Sequence, residues 1–156
     1  MKRRRAIVPL WLAIGLATVL LSACRPRAIY HHYQAVDAEG WMCTDTLRFV
    51  YDQLPEDSLC FFSIGLRCTN RLAMQDLWLV MEERTALDER HRDTVHVVMS
   101  DDKGEWQGQG TILHEYEQVV ATGRYTKRQM PIELLVYHVM QDQCLTGIRE
   151  IGVKIQ

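Results

Sequence analysis

From Tyr30 to the last residue the dominant pattern is alternation with a period of two, and no long amphipathic helical stretch interrupts it. That periodicity commits the segment to β-strands. In Cys60-Phe61-Phe62-Ser63-Ile64-Gly65-Leu66-Arg67-Cys68 every even position is apolar, and the odd positions from Ser63 on are small or polar. Side chains alternate across a strand, so the even face, with Phe62, Ile64 and Leu66, is predicted to be buried. Leu77-Trp78-Leu79-Val80-Met81 is apolar on both parities, and Val95, Val97 and Met99 recur at every second position. These read as central strands. Asp101-Asp102-Lys103-Gly104 is a turn from which Trp106 to Tyr116 can return as a hairpin partner. Gly123-Arg124-Tyr125 is predicted to open a short strand, residues 132–140 to form another, and the alternating residues 151–156 the last. Residues 82–92, strongly charged and without an apolar face, read as a solvated loop between strands. Seven to nine strands without a repeat predict an antiparallel β-sandwich, jelly-roll-like or immunoglobulin-like, over residues 30–156.

The start of the chain obeys different rules. Lys2, Arg3, Arg4 and Arg5 precede an uncharged apolar run over residues 6–21. This is the pattern of an export signal, and the run is short for a membrane span, which needs about 20 residues. It ends in Leu21-Ser22-Ala23-Cys24, which resembles the lipobox of bacterial lipoproteins. The cysteine is required there because its sulfur is the nucleophile that accepts the lipid. Residues 1–23 are therefore read as a cleaved signal, Cys24 as the acylated residue and residues 24–29 as a tether. The competing reading is an uncleaved transmembrane anchor flanked by Arg25 and Arg27. Arg25 in place of an aspartate after the cysteine, with no acidic export signal following, predicts the outer membrane, facing the periplasm.

Cleavage before Cys24 removes 23 of 156 residues and leaves 133, enough for one modest core. It also lowers the basic count from 18 to 14 against 20 acidic side chains, a net charge of −6. Nucleic-acid binding needs a basic face and is not expected. Cys43, Cys60, Cys68 and Cys144 remain, in a compartment where disulfides can form. Cys60 and Cys68 on one strand would stand roughly 27 Å apart and cannot pair. Disulfides and small buried thiols both remain open for this set.

Chemistry-bearing constellations are sparse. The six histidines lack ligand spacing, and adjacent His31 and His32 point to opposite faces of a strand. Asp101, Asp102 and Glu105 around Lys103 read as a solvated turn, not as a calcium loop. There is no GxSxG or HExxH motif, and neither a catalytic residue nor a cofactor is predicted. Among the aromatic residues, Trp78 is expected to fill the core, whereas Trp41 and Trp106, close to loops, are the candidates for an exposed binding surface.

Several segments recur together in a recognisable order: the lipobox, Tyr30-His31-His32-Tyr33, Trp41 ahead of Asp45 and Phe49, Leu77-Trp78-Leu79, Gly104-Glu105-Trp106-Gln107-Gly108-Gln109-Gly110, and Leu145-Thr146-Gly147-Ile148-Arg149-Glu150-Ile151-Gly152-Val153. Together they resemble the gliding-motility lipoprotein GldH family of the Bacteroidetes. Gln141 stands where the family pattern is expected to carry arginine, and Asp76 where it carries asparagine. The resemblance implies a non-enzymatic accessory lipoprotein of the gliding apparatus, working alongside the type IX secretion system. Its implied partners are the bilayer, through acylated Cys24, and other envelope proteins. The alternative function is a lipid-anchored glycan-binding sandwich.

Overall fold

The computed structural model describes residues 28–156, so the signal segment and Cys24 lie outside the described residues. Ten strands occur among them: β1 Tyr30–Ala35, β2 Trp41–Met42, β3 Leu47–Tyr51, β4 Cys60–Thr69, β5 Asp76–Arg84, β6 Arg90–Val98, β7 Leu113–Gly123, β8 Ile132–His138, β9 Cys144–Leu145 and β10 Ile148–Ile155. Two four-stranded antiparallel sheets have the orders β1-β10-β4-β7 and β3-β8-β5-β6, and β2 pairs with β9. Numbering only the eight longer strands, the first pairs with the last, the second with the seventh, the third with the sixth and the fourth with the fifth. Such nested hairpins rolled into two sheets form a jelly roll, which decides between the two sandwich types. The count exceeds seven to nine because β2 and β9 are two-residue strands too short to carry a periodic signal.

Alternation sets the core. Phe62, Ile64 and Leu66 of β4 are 2%, 1% and 0% exposed, and Leu79, Val97 and Ile155 are likewise buried, as the parity argument requires. At the end of β8, His138 meets Trp41 edge-on at 5.2 Å. Trp41, from β2, donates its indole N–H to the Asp45 carbonyl at 3.0 Å and closes this end of the core.

Three local expectations are corrected. Residues 82–92 are not a loop. β5 and β6 run through them as a hairpin with a five-residue tip, and residues 90–94 are exposed, with His91 and Asp93 lining a cleft across from Val120, Ala121 and Thr122 of β7. Backbone pairing holds these strands without an apolar face, β5 being hydrogen-bonded to β6 on one side and to β8 on the other. The Trp106 return forms only a bridge to Ser100, after which β7 crosses to the other sheet and pairs with β4. Gly123 ends β7 and opens no strand.

The glycines of the two recurring motifs are building elements. Gly147 has φ +94°, and a Cβ there would meet the Leu72 backbone nitrogen at 2.5 Å. Gly152 pairs with Gly65, and the Tyr33 ring lies across both, so that a Cβ on Gly152 would stand 2.6 Å from its Cε1. Arg67 covers the other side of that ring at 4.0 Å and pairs with Glu150 at 2.7 Å. The outer face of this sheet is thus occupied by its own polar network.

His138 makes stability pH-dependent. Its Nε2 lies 3.1 Å from the Trp41 carbonyl, its Nδ1 has no partner among the described residues, and burial holds its pKa below the ordinary 6.5. An unfolded chain therefore binds the proton that the folded one resists, so stability falls as pH drops below about 6.5 and levels off beneath the folded value. Urea midpoints at about pH 7.5 and about pH 5.5 should show that loss. His138→Gln, which keeps a donor for Trp41, should flatten this contribution. An unaltered slope would exclude His138 as its source.

Candidate interaction surface

Leu77, Leu79 and Met81 of β5 point into the core, which forces Trp78 to the outer face. It is 42% exposed, against the expectation of a core residue. Its ring stacks on His96 of β6 at 4.1 Å with an interplanar angle of 9°, and His96 is held by Asp76 at 2.8 Å. The carboxylate at position 76 thus serves as an anchor for the stack. Val98 and Val139 flank Trp78 and are 51% and 46% exposed. Val139 lies against β5, its N–H bonded to the Trp78 carbonyl at 2.9 Å.

Val98 continues the apolar strip to the open side of the sandwich, where the edges of β6 and β7 enclose a groove of about 790 Å³. Gln107, Gln109, Gln118, Glu115, Glu117 and Leu113 line it. Both carboxylates are already engaged, Glu117 with Lys154 at 2.7 Å and Glu115 with the Tyr33 hydroxyl at 2.9 Å. Gln118 donates to the His96 carbonyl at 3.1 Å and so ties the groove wall to the Trp78 stack. Just beyond lies Ile112, 84% exposed. An aromatic anchor, exposed aliphatic side chains and amides able to donate and accept make a surface suited to a protein partner.

The two tryptophans chosen from the sequence are not brought together here. Trp41 is 0% exposed, which corrects its assignment to a binding surface: the Asp45 turn folds it over the core. Trp106 is half-buried, stacked on His114 at 5.7 Å and tilted against Tyr116 at 6.2 Å. It supports the loop that borders the groove. Trp78 was missed because a strand apolar on both parities conceals which face is inside. The signal that could have found it is the parity of Val95, Val97 and Met99 on the neighbouring strand.

A second cleft, of about 90 Å³, holds Glu83 and Tyr125 at the other end of the open side. Tyr125 donates to Glu83 at 2.7 Å, and burial pushes the Glu83 carboxyl above its usual range. That bond, like the one from Gln118 to the His96 carbonyl, ties the β7 side of the sandwich to the β5–β6 hairpin. Burial also pushes the Cys68 thiol up to about 12, so it is a poor nucleophile. Cys43, Cys60, Cys68 and Cys144 are all free thiols. Among the described residues no group of three or more His, Cys, Asp or Glu is placed to hold a metal ion.

Fold and surface together define a jelly-roll domain that presents an apolar strip beside an open groove. Residues 28–155 match the family described as GldH lipoprotein, and the chain belongs to that family. It is accordingly a membrane-anchored lipoprotein of the cell envelope. No curated protein matches it. Among solved structures, the Clostridium thermocellum endo-1,4-beta-D-xylanase 10B CBM22-1-GH10 modules complexed with xylohexaose align at TM-score 0.40 and 14% identity, covering 85% of this chain and 29% of that one. Infectious bursal disease virus Gx strain aligns at TM-score 0.19 and 14% identity over 85% of this chain and 42% of that one. The chain thus spans less than half of either structure, and neither likeness reaches the level at which a shared fold follows.

Proposed function

We propose that this protein is a non-enzymatic accessory lipoprotein of the gliding-motility apparatus that works alongside type IX secretion. In this reading residues 1–23 are removed, Cys24 carries the lipid, residues 24–29 form the tether, and the 30–156 domain faces the periplasm from the outer membrane. The family match over 28–155 is the observation that supports it. The strip formed by Trp78, Val98 and Val139 is the surface through which the domain holds another envelope protein.

Glycan binding has lost one of its two supports with the burial of Trp41, and His96 occupies one face of Trp78. The test is crosslinking in cells followed by purification, comparing the natural protein with Trp78→Lys. Trp78 is partly exposed, so the variant should melt within a few degrees of the parent. Loss of a central aromatic anchor weakens association by about 2 kcal/mol, roughly thirtyfold, so the crosslinked partner should largely disappear. Undiminished partner recovery would remove Trp78 from the interface. Saturable polysaccharide binding without any protein partner would replace the proposal by the glycan module.

A further inference from the structure

We infer that the end of the sandwich where the chain enters rests on the bilayer, with Ile29, Leu59 and Phe61 as its apolar seat on the lipid surface. The inference rests on the reading of Cys24 as the acylated residue. The Ile29 N–H bonds to the Ile155 carbonyl at 2.8 Å, and Phe61 and Gln156 exchange backbone bonds at 2.9 and 3.1 Å. Ile29, Gln156 and Phe61 therefore succeed one another across β1, β10 and β4, with about 4.8 Å between neighbours. All three share the parity of the outward-facing Tyr33, Lys154 and Arg67, and Leu59 stands immediately before β4.

Ile29, Leu59 and Phe61 are 42%, 46% and 43% exposed at the rim of the sheet. Two cations at the same end are already engaged, Lys127 with Glu56 at 3.4 Å and Arg124 with the Asp57 carbonyl at 2.6 Å. The seat itself, Ile29, Leu59 and Phe61, is therefore apolar.

The length of chain outside the structure selects the occupant. From Cys24 to Ile29 there are five residue steps, at most about 17 Å of extended chain. An acylated cysteine sits at headgroup level, so this rim cannot stand farther from the lipid surface than the tether reaches. Ile112 lies at the opposite end, because Thr69 at the far end of β4 pairs with Leu113. At about 3.3 Å per residue, the eight steps from Phe61 to Thr69 place it more than about 26 Å from the rim. The same geometry turns the Trp78 strip away from the membrane, since Asp76, at the start of β5, pairs with Val98 at the end of β6 remote from the Arg84–Arg90 tip.

The test uses the full-length protein in its native membrane, with a photoreactive diazirine amino acid at position 59, 61 or 112 and an alkyne fatty acid supplied to the cells. Phospholipid adducts are expected at 59 and 61, with position 112 at the level of the unirradiated control. Equal adducts at 61 and 112, or protein adducts in place of lipid at 59 and 61, would overturn the seat while the acyl label on Cys24 persists. Absence of the acyl label would overturn the anchor reading and the seat with it. Two rim positions on separate variants guard against one that fails to fold.

Discussion

Leu66→Asp is expected to destabilise the domain by several kcal/mol. Leu66 is 0% exposed, on a strand hydrogen-bonded on both sides, opposite Ile151 in β10 and Tyr116 in β7. The substitution forfeits about 2 to 3 kcal/mol of apolar burial and forces a carboxylate into a site that offers it no cation. The sum is at least about 4 to 5 kcal/mol, a large part of the roughly 5 to 15 kcal/mol that stabilises a domain of this size. Protonation relieves the penalty, so the variant should recover some stability in acid. Phe61→Asp is the control: it lies on the same strand with the opposite parity, is 43% exposed, and should cost about 1 kcal/mol or less. Denaturant melts of the two variants decide the register. A larger loss for Phe61→Asp than for Leu66→Asp would mean that β4 presents the other face to the core.

Cys24→Ala should abolish membrane anchoring through lipid altogether. It removes the sulfur at the processing site, so no acyl chain is attached and the precursor accumulates with its signal uncleaved. Each buried methylene contributes about 0.8 kcal/mol, and one chain gives only marginal binding, whereas the two or three chains of a bacterial lipoprotein hold it stably. The natural protein should therefore resist extraction by salt and by high pH. Labelling with an alkyne fatty acid, followed by membrane fractionation and protease treatment of intact cells, measures both the anchor and its orientation. Label of equal strength on the alanine variant, or none on the natural protein, would leave an uncleaved transmembrane anchor as the correct reading.

The sequence by itself determined the all-β class and the buried face of β4, because a strand's two-residue period writes its core face directly into the order of side chains. It also carried the family, through GxWxGxG and LxGIxxIG segments whose glycines serve backbone geometry: Gly104, Gly110 and Gly147 at positive φ, Gly152 beneath Tyr33. Only the tertiary structure decided which strands are neighbours, and so chose the jelly roll over the immunoglobulin-like sandwich. Pairings such as Tyr30 with Ile155 join residues more than a hundred positions apart, and alternation within a strand contains no information about its partner. For the same reason the surface was not legible. Trp41 looked exposed beside a loop but is buried by the Asp45 turn, whereas Trp78 looked buried in an apolar strand but faces outward. In a strand apolar on both parities, the side that meets the opposite sheet is fixed by packing across the sandwich, and that contact exists only once the chain has folded.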